Sequence, residues 1–310
     1  METKHNPYAV GVLAAVVSYI LWGVLPIYWK AIGSVPAGEV LAHRIIWSLL
    51  FMIVVLLLLG KLKIVIEEIK QVFTDKKMAI RIILAAVVIS VNWLVYIFAV
   101  ESDRVIEASL GYYMNPLFNI FLATIFLKER LKKLEWLSVA IAGVGVLGLV
   151  LYYGYFPWAA LILAATFSFY GLMKKTVPIS AWAGLTIETL IMVPIALVFL
   201  FGFESSPSFW DRDVTTIFLL IGAGAVTAVP LLLFAAGTKR ISFTLVGFLQ
   251  YIAPTIMLGL GLFLFNEPFS TPQLLAFMMI WLALLLFTYS RSKELLLRRK
   301  QEPQLAVHKK

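Results

Sequence analysis

Long apolar runs, separated by short polar segments, make up most of the chain. A helix needs about 20 consecutive, predominantly apolar residues to cross the hydrocarbon core of a bilayer, and ten runs approach or reach this length. The fourth run begins among charged residues, and the sixth is short. We therefore predict ten membrane-spanning helices, in the segments Tyr8–Trp29, Ala37–Leu59, Ala79–Val100, Val105–Leu127, Leu134–Tyr152, Pro157–Met173, Trp182–Phe203, Val214–Ala236, Ser242–Phe265 and Pro272–Ser290.

The composition agrees with a protein that is surrounded mainly by lipid. Of the 310 residues, 62% are hydrophobic and 14% are charged, against about 25% charged residues in an average soluble domain. A soluble globule of this length has too little interior to bury so much apolar surface, so an ordinary cytosolic enzyme and a disordered protein are excluded. Because the chain has no cysteine, disulfides, thiolate metal sites and cysteine nucleophiles are excluded as well.

The basic residues fall predominantly on one side of the predicted helix bundle. The net charge is +9, which in a soluble protein can indicate nucleic-acid binding. With the N-terminus inside, 22 of the 26 Lys and Arg residues lie in inner segments, three in outer segments and one, Arg44, within a span. Because cytoplasmic loops carry the excess of Lys and Arg, we predict that both termini are cytoplasmic and that nucleic acid is not a partner.

Two segments outside the spans are long enough to have structure of their own. In Gly60–Met78, apolar residues repeat at helical spacing between Lys and Glu, which predicts a short amphipathic helix on the inner leaflet; a solvated linker is the alternative. The segment from Arg291 onward is basic, and we expect it to be lipid-associated or disordered. Neither segment can accommodate a catalytic domain.

Two spans carry the same three anchor residues at the same spacing. In each, the pattern is Tyr-x-x-Pro, followed by Glu thirteen residues after the proline, and the two spans are the fourth and the ninth in order. This agreement indicates an internal repeat of five spans. The two sets are Tyr113, Pro116 and Glu129, and Tyr251, Pro254 and Glu267.

The repeat predicts two units, residues 1–153 and 154–290, followed by a basic cytoplasmic tail in residues 291–310. Because five is odd, the second unit enters the membrane with the opposite orientation. Such inverted repeats are typical of secondary transporters, in which the substrate binds between the halves near the membrane midplane. The predicted fold class is therefore an all-α integral membrane protein with ten helices in two inverted five-helix repeats.

A few ionisable residues lie within the spans, where each costs about 2.5–3.5 kcal/mol on insertion scales. They are Glu39, His43 and Arg44 in the second span and Glu188 in the seventh. These residues could line a water-filled cavity, bind a polar substrate group or relay protons. The alternative is a static, ion-paired strut with Glu39 at the interface. The estimated depths of Arg44 and Glu188 allow either a direct bridge or an intervening substrate or water.

Amides, phenols and an indole form a second group of candidates for the substrate pathway. They could hydrogen-bond or stack on a ligand, or they could join neighbouring helices. Pro116 and Pro254 are predicted to kink their helices around a cavity. The other candidates are Asn92, Trp93, Tyr96, Tyr113, Asn115, Gln250 and Tyr251.

One glycine pattern resembles a nucleotide-binding fingerprint but lies in the wrong context. Gly143, Gly145 and Gly148 match G-x-G-x-x-G, yet the dinucleotide motif requires a preceding strand, and here the pattern lies inside the fifth span. We expect these glycines to permit close helix packing instead. Because the chain also lacks a phosphate-binding loop motif, we predict no cofactor, no metal and no ATP-driven pumping.

Five segments contain specific motifs within the predicted spans: Trp22–Lys30 (WGVLPIYWK), Glu39–Ser48 (EVLAHRIIWS), Asn92–Tyr96 (NWLVY), Gly111–Pro116 (GYYMNP) and Gln250–Thr255 (QYIAPT). These segments resemble the RarD group of the EamA family, which belongs to the drug/metabolite transporter superfamily. The similarity extends over nearly the whole chain but not over the tail. It implies ten spans, two EamA units in inverted order, and movement of small metabolites or drugs across the bacterial plasma membrane.

We therefore predict a secondary transporter that exports small organic solutes by alternating access, with His43 or a carboxylate as carrier of a coupling proton. An uncoupled facilitator would have the same fold. An intramembrane lipid-modifying enzyme is the alternative from another class, but the sequence contains no cluster of His residues and no nucleophile motif that would support one.

Overall fold

The computed structural model describes residues 6–33, 35–101, 105–154, 156–202, 209–266 and 270–307, and its regular structure in these ranges is helical, without strands. A short 3-10 turn, Phe209–Asp211, precedes the ninth helix. The helices are α1 (Pro7–Ile32), α2 (Ala37–Leu58), α3 (Leu62–Thr74), α4 (Lys76–Glu101), α5 (Val105–Phe126), α6 (Lys133–Tyr153), α7 (Trp158–Thr176), α8 (Ala181–Gly202), α9 (Val214–Arg240), α10 (Phe243–Gln250), α11 (Ile252–Phe263) and α12 (Thr271–Val307).

Each predicted span except the ninth coincides with one of these helices. Within the described ranges, eight helical segments are long and apolar enough to cross a membrane. The other two predicted spans, the fourth and the sixth, form α5 and α7, which have 22 and 19 residues. The protein is thus an all-helical, multi-pass membrane protein, as its apolar runs predict.

The ninth predicted span consists of two helices, α10 and α11, which are separated at Tyr251. Pro254 explains the break, because it has no N–H and its ring clashes with the carbonyl of Gln250, four residues earlier. Its counterpart Pro116 lies inside α5, which is continuous. Of the two prolines predicted to kink a helix, the second therefore coincides with an interruption and the first does not.

The amphipathic segment after α2 forms the helix α3, as its periodicity predicts. Val65 and Val72 are buried, whereas Ile64 and Phe73 remain exposed. The Glu68 carboxylate accepts a hydrogen bond of 2.8 Å from the backbone N–H of Ser180 at the start of α8. One edge of α3 therefore packs on the bundle, and the exposed apolar side chains agree with a position at a lipid surface.

The last helix continues beyond the predicted end of the tenth span. α12 extends without interruption to Val307, so the part of the tail that the structure describes is helical. Association of this segment with lipid stays a prediction.

Contacts between helix ends define the two ends of the bundle. At the end where α1 begins, Gly11 packs against Arg240 and Ile241, which close α9. We call this the basic end, because Lys174, Lys175 and Lys239 also lie there. We call the opposite end, where α1 finishes and α2 begins, the far end.

Small residues allow the helices to approach closely. A Cβ atom added to Gly224 in α9 would lie 2.3 Å from the carbonyl carbon of Trp47 in α2. Gly145, the central glycine of the G-x-G-x-x-G pattern, faces Ala276 of α12, whereas Gly143 and Gly148 have no neighbour within 4 Å of an added Cβ. The pattern is therefore part of a helix, and one of its glycines serves helix packing.

Candidate functional site

A cavity of about 340 Å³ extends from the middle of the bundle to the far end. Gln250 and Leu231 line its inner part, and Ile32, Gly33 and Val35 line it where it reaches the far end. The volume lies within the range of about 300–1,000 Å³ that is typical of small-molecule sites. Both predicted five-span units contribute to the lining: α1, α2, α4 and α5 from the first, and α7, α9, α10 and α11 from the second.

Arg44 is the only formally charged side chain among the described residues that line this cavity. Its Nε donates a hydrogen bond of 3.0 Å to Thr227 Oγ1. Its Cζ lies 4.8 Å from the ring centre of Trp29 and 5.6 Å from that of Trp93. Within the part of the chain that the structure describes, no carboxylate forms a salt bridge with this guanidinium.

The remaining walls are largely aromatic. Trp22 and Phe167 meet edge to face at 5.7 Å between ring centres, and Tyr96 and Tyr112 lie beside Arg44. Tyr19 also lines the cavity, and its hydroxyl is buried without a hydrogen-bond partner among the described residues. Such walls suit an apolar or aromatic body, with a few polar groups to orient it.

The amide side chains at the cavity join neighbouring helices. Asn92 Nδ2 donates to the carbonyl of Leu163 at 2.9 Å, and to Thr166 Oγ1 at 2.8 Å, which ties α4 to α7. Asn115 Oδ1 accepts a hydrogen bond of 2.8 Å from Ser168. In the same way, Gln250 accepts one of 2.6 Å from Asn119. These amides are positioned by interhelical hydrogen bonds and still contribute surface to the cavity.

Two of the ionisable candidates, Glu39 and His43, are not among the cavity-lining residues and belong to a cluster at the far end. Arg212, just before α9, binds both carboxylate oxygens of Glu39 through its Nη2 at 2.7 and 2.8 Å. His43 Nε2 lies 3.8 Å from Glu39 Oε1, and the His43 ring packs on Phe209 at 4.9 Å. The predicted shared face of these two residues on α2 is therefore occupied by an ion pair.

The fourth ionisable candidate, Glu188, lies at the basic end. Its Oε1 is 2.6 Å from Lys174 Nζ, and its Oε2 accepts a hydrogen bond of 3.0 Å from the Tyr170 hydroxyl. Lys174 and Glu188 are 6% and 4% exposed, so the pair is removed from water. Glu188 and Arg44 thus have different partners and do not bridge to each other.

Two further candidates, Tyr113 and Tyr251, face away from the cavity toward α6 and α12. The Tyr113 ring meets Phe277 edge to face at 5.2 Å, and Tyr251 is fully buried in a cluster with Ile280 of α12. Seven of the predicted site residues line the cavity: Arg44, Asn92, Trp93, Tyr96, Asn115, Gln250 and Pro254.

Glu129, one of the repeat anchors, closes the basic end between the two halves of the chain. Its carboxylate oxygens accept hydrogen bonds from the backbone N–H groups of Phe243, at 2.7 Å, and Thr244, at 3.0 Å. This is the geometry of a side chain that caps a helix N-terminus, here that of α10. Lys175 Nζ reinforces the same end by donating to the carbonyls of Thr238 and Ile241. The other anchor, Glu267, lies outside the described residues.

Several lining residues are absent from the sequence-based candidates. In an apolar run, an aromatic residue that lines a cavity is indistinguishable from one that faces lipid or the core. A usable signal existed for three of them, because Trp22, Trp29 and Tyr112 lie in the segments that carry the family resemblance. The full set of missed polar and aromatic residues is Tyr19, Trp22, Trp29, Tyr112, Phe167 and Thr227.

Comparison with known proteins agrees with this architecture. A family model described as the EamA-like transporter family matches residues 9–151 and again residues 156–289. The chain belongs to the EamA-like transporter family. This EamA protein is 45% identical over 291 residues to the uncharacterized transporter YojE of Bacillus subtilis (strain 168), a match that covers 94% of this chain and 97% of YojE.

Further relatives place this EamA protein among the RarD-type transporters. It is 41% identical over 282 residues to protein RarD of Escherichia coli (strain K12), which covers 89% of this chain and 93% of that protein. A solved crystal structure with 21% identity superposes with a TM-score of 0.71, over 90% of this chain and 97% of that one, and so shares the fold. The protein is therefore a RarD-type EamA membrane transporter of the drug/metabolite group.

Proposed function

We propose that this EamA transporter is a secondary transporter, which exports small organic solutes by alternating access between two inverted five-helix repeats. The observation that carries the proposal is a cavity in the middle of the bundle, whose described lining reaches the far end and includes no residue of the basic end. Both halves of the chain line it. A substrate site of this kind, between two halves that can rearrange around it, is what alternating access requires.

The backbone supports the two repeats, residues 1–153 and 154–290, independently of the family match. Among the described non-glycine residues, Lys128 and Asn266 have positive φ angles, 53° and 52°. Each lies twelve residues after the proline of its Tyr-x-x-Pro pattern and directly before the anchor glutamate. Positive φ is uncommon for residues with a side chain, so its recurrence at equivalent positions indicates the same turn in both units.

The proposed topology identifies the state of the cavity. Because the basic residues favour a cytoplasmic location for the termini, the basic end faces the cytoplasm and the far end faces outward. The cavity is then open to the outside. To open inward, the Glu129 contact with α10 and the Lys175 contacts with the end of α9 would have to separate. The export direction is proposed from the resemblance to the drug/metabolite transporters.

For energy coupling we propose a proton, with the far-end pair of Glu39 and His43 or the basic-end residue Glu188 as its carrier. The support is geometric: these groups occupy the two ends that must open and close in turn. A proton on either carboxylate would weaken its bond to Arg212 or Lys174. Binding of a proton would therefore change the stability of one closure.

Cysteine labelling tests the alternating-access part of the proposal, since the chain has no cysteine of its own. An Ala253→Cys variant places one thiol in the cavity, and Lys61→Cys and Val214→Cys, near the beginnings of α3 and α9, calibrate the two sides. In oriented vesicles, we expect a membrane-impermeant maleimide to label Ala253→Cys mainly from the far side and, more slowly, from the basic side. Labelling from one side only, under every substrate and pH condition, would contradict alternating access.

Transport in proteoliposomes tests the coupling. Uphill solute uptake driven by an imposed pH gradient is expected from a proton-coupled transporter, whereas an uncoupled facilitator would only equilibrate its solute. The double variant His43→Ala with Glu188→Gln should lose gradient-driven accumulation. If accumulation survives in that variant, these residues do not carry the proton, although the transporter assignment stands.

A further inference from the structure

The cavity contains one cation, the guanidinium of Arg44, that has no counter-ion among the described residues. This indicates that the substrate supplies an anionic group. Arg44 forms one hydrogen bond through Nε, to Thr227, and its two terminal nitrogens have no hydrogen-bond acceptor within the described structure. A guanidinium has five N–H donors and matches a carboxylate through two parallel hydrogen bonds. Most of the donor capacity of Arg44 is therefore unused inside a membrane-embedded cavity.

The buried acids Glu39 and Glu188 are paired with other cations and do not neutralise Arg44. Glu39, on the same helix, is held by Arg212 through both carboxylate oxygens. Glu188 is bound by Lys174 at the basic end. Arg44 is half-buried, and a charge removed from water is costly until it is paired. The described lining of the cavity has a net charge of +1, which a bound anion can neutralise.

A second polar group beside the cavity also lacks a partner among the described residues. The Tyr19 hydroxyl is fully buried and forms no hydrogen bond within the part of the chain that the structure describes, although buried hydroxyls in proteins nearly always have a partner. Tyr19 contributes to the cavity lining together with Trp22 and Phe167. The edge of the cavity thus contains a hydroxyl whose hydrogen-bonding capacity is unused within the described structure, in addition to the guanidinium of Arg44.

We propose that the solute carried by this protein is an organic monocarboxylate, with its carboxylate on Arg44 and an apolar or aromatic body between the tryptophans. A single negative charge neutralises the cavity, whereas a dianion such as a phosphate monoester would leave a buried excess of charge. The walls formed by Trp22, Trp29 and Trp93 suit an aromatic or branched apolar body. No acidic residue lines the described cavity to bind an ammonium group. This inference rests on the proposed function, because it takes the cavity as the transport site.

Binding measurements on the purified protein test the proposal. The probes are benzoate, phenylacetate, 3-phenylpropionate and 4-phenylbutyrate, each compared with its amide and with the amine of equal chain length. Thermal stabilisation and quenching of tryptophan fluorescence report binding without a transport assay. We expect at least one acid to bind about ten- to hundredfold more tightly than its amide, as for loss of a hydrogen-bonded charge.

Variants of Arg44 connect this selectivity to the residue. Arg44→Gln should abolish the preference for the acid, and Arg44→Lys, which retains the charge but not the planar fork, should keep part of it. Arg240→Gln is the matched control, because Arg240 is exposed and bonds to its own helix. Thr227→Val should weaken acid binding several-fold without affecting the amide, because it releases the Arg44 guanidinium. Should Arg44→Gln fail to fold, Arg44→Lys and Thr227→Val carry the test.

The outcomes separate this inference from the proposed function. If amides or amines bind as tightly as the acids, if no acid binds, or if Arg44→Gln retains acid selectivity, the monocarboxylate proposal is wrong. Transport of neutral solutes that is unaffected by Arg44→Gln would overturn it while leaving alternating access intact. Selective binding of an acid without any flux in proteoliposomes would instead support the anion site and contradict the transport mechanism.

Discussion

At the basic end of the bundle, buried and half-buried charges have partners within the protein, whereas in the cavity the half-buried Arg44 has a hydroxyl, two indole rings and no carboxylate among the described residues. Lys174 lies 2.6 Å from Glu188, and the Glu129 carboxylate accepts two backbone N–H groups of α10. Within the described structure, Arg44 forms one hydrogen bond, to Thr227. The charges at the basic end are thus neutralised or hydrogen-bonded by groups of the protein, whereas the charge of Arg44 in the cavity is not neutralised by any described carboxylate.

The difference indicates that the basic end stabilises the structure and that the cavity is a binding site whose polar groups are not yet satisfied. A closure has to be stable by itself, so its charges are satisfied by other groups of the chain. A binding site gains affinity from groups that are satisfied only when the substrate arrives. The variants below change one region at a time, in order of decreasing expected effect.

Breaking the buried pair at the basic end should have the largest effect. Lys174→Met leaves Glu188 as an uncompensated buried carboxylate, which we expect to lower the free energy of unfolding by about 3–5 kcal/mol. Thermal unfolding of the purified protein in detergent measures the loss. Adding Glu188→Gln should restore most of the stability, because both charges are then gone. The control Lys63→Met, at an exposed position of α3, should change little.

The outcome for this pair bears directly on the comparison. If Lys174→Met alone costs less than about 1 kcal/mol, as an exposed salt bridge does, the basic end is hydrated. The distinction between a closed end and an open cavity would then fail.

Crowding α2 against α9 should disturb the cavity side. In Gly224→Ala the new Cβ would lie 2.3 Å from the backbone of Trp47, so the two helices that carry Arg44 and Thr227 must separate. Overpacking of this kind costs about 1–3 kcal/mol, and we expect a value near the upper limit, because backbone atoms rather than a flexible side chain are in contact. Melting temperatures report it. Gly143→Ala, where nothing lies within 4 Å, should be within about 0.5 kcal/mol of the parent.

Weakening the cap on α10 should shift the balance between the two ends. Glu129→Gln removes the charge from two hydrogen bonds, each worth about 1.5–3 kcal/mol when charged, so we expect the basic end to open about ten- to hundredfold more often. The measurement is the rate at which Ala253→Cys is labelled from the basic side. Glu67→Gln, an exposed carboxylate on α3, is the control. An unchanged rate in Glu129→Gln would mean that the cap does not contribute to closure.

Most of the fold can be predicted from the sequence because lipid imposes simple rules on it. Spans need a minimum length and an apolar surface, and the runs that meet these conditions coincide with the helices. The break at Tyr251 was less predictable. Pro116 and Pro254 have the same local pattern, yet only the second coincides with a break, so the surrounding packing decides the outcome.

The candidate site could be predicted only where burial is costly. Arg44 is conspicuous in an apolar run because a charge there requires a reason. Tyr19 and Trp22 are not, since aromatic residues are common at lipid-facing, core and cavity positions alike. Partners were harder still, because Lys174 and Arg212 look like ordinary loop charges in the sequence. Only the three-dimensional structure shows that they bind Glu188 and Glu39.

The smallest expected effect concerns the two positive-φ turns that precede the anchor positions. Lys128 adopts a φ of 53°, which costs a residue with a side chain about 1–2 kcal/mol, and part of that cost returns as chain entropy when glycine replaces it. Lys128→Gly should therefore stabilise the protein by up to about 1 kcal/mol. Asn266→Gly should gain less, because asparagine tolerates this conformation better than lysine does. The difference is measured by the melting temperatures of both variants. Lys133→Gly, at the start of α6, is a control that we expect to be destabilised. A loss of stability in Lys128→Gly would show that the contacts of the Lys128 side chain stabilise the protein by more than its strained backbone destabilises it.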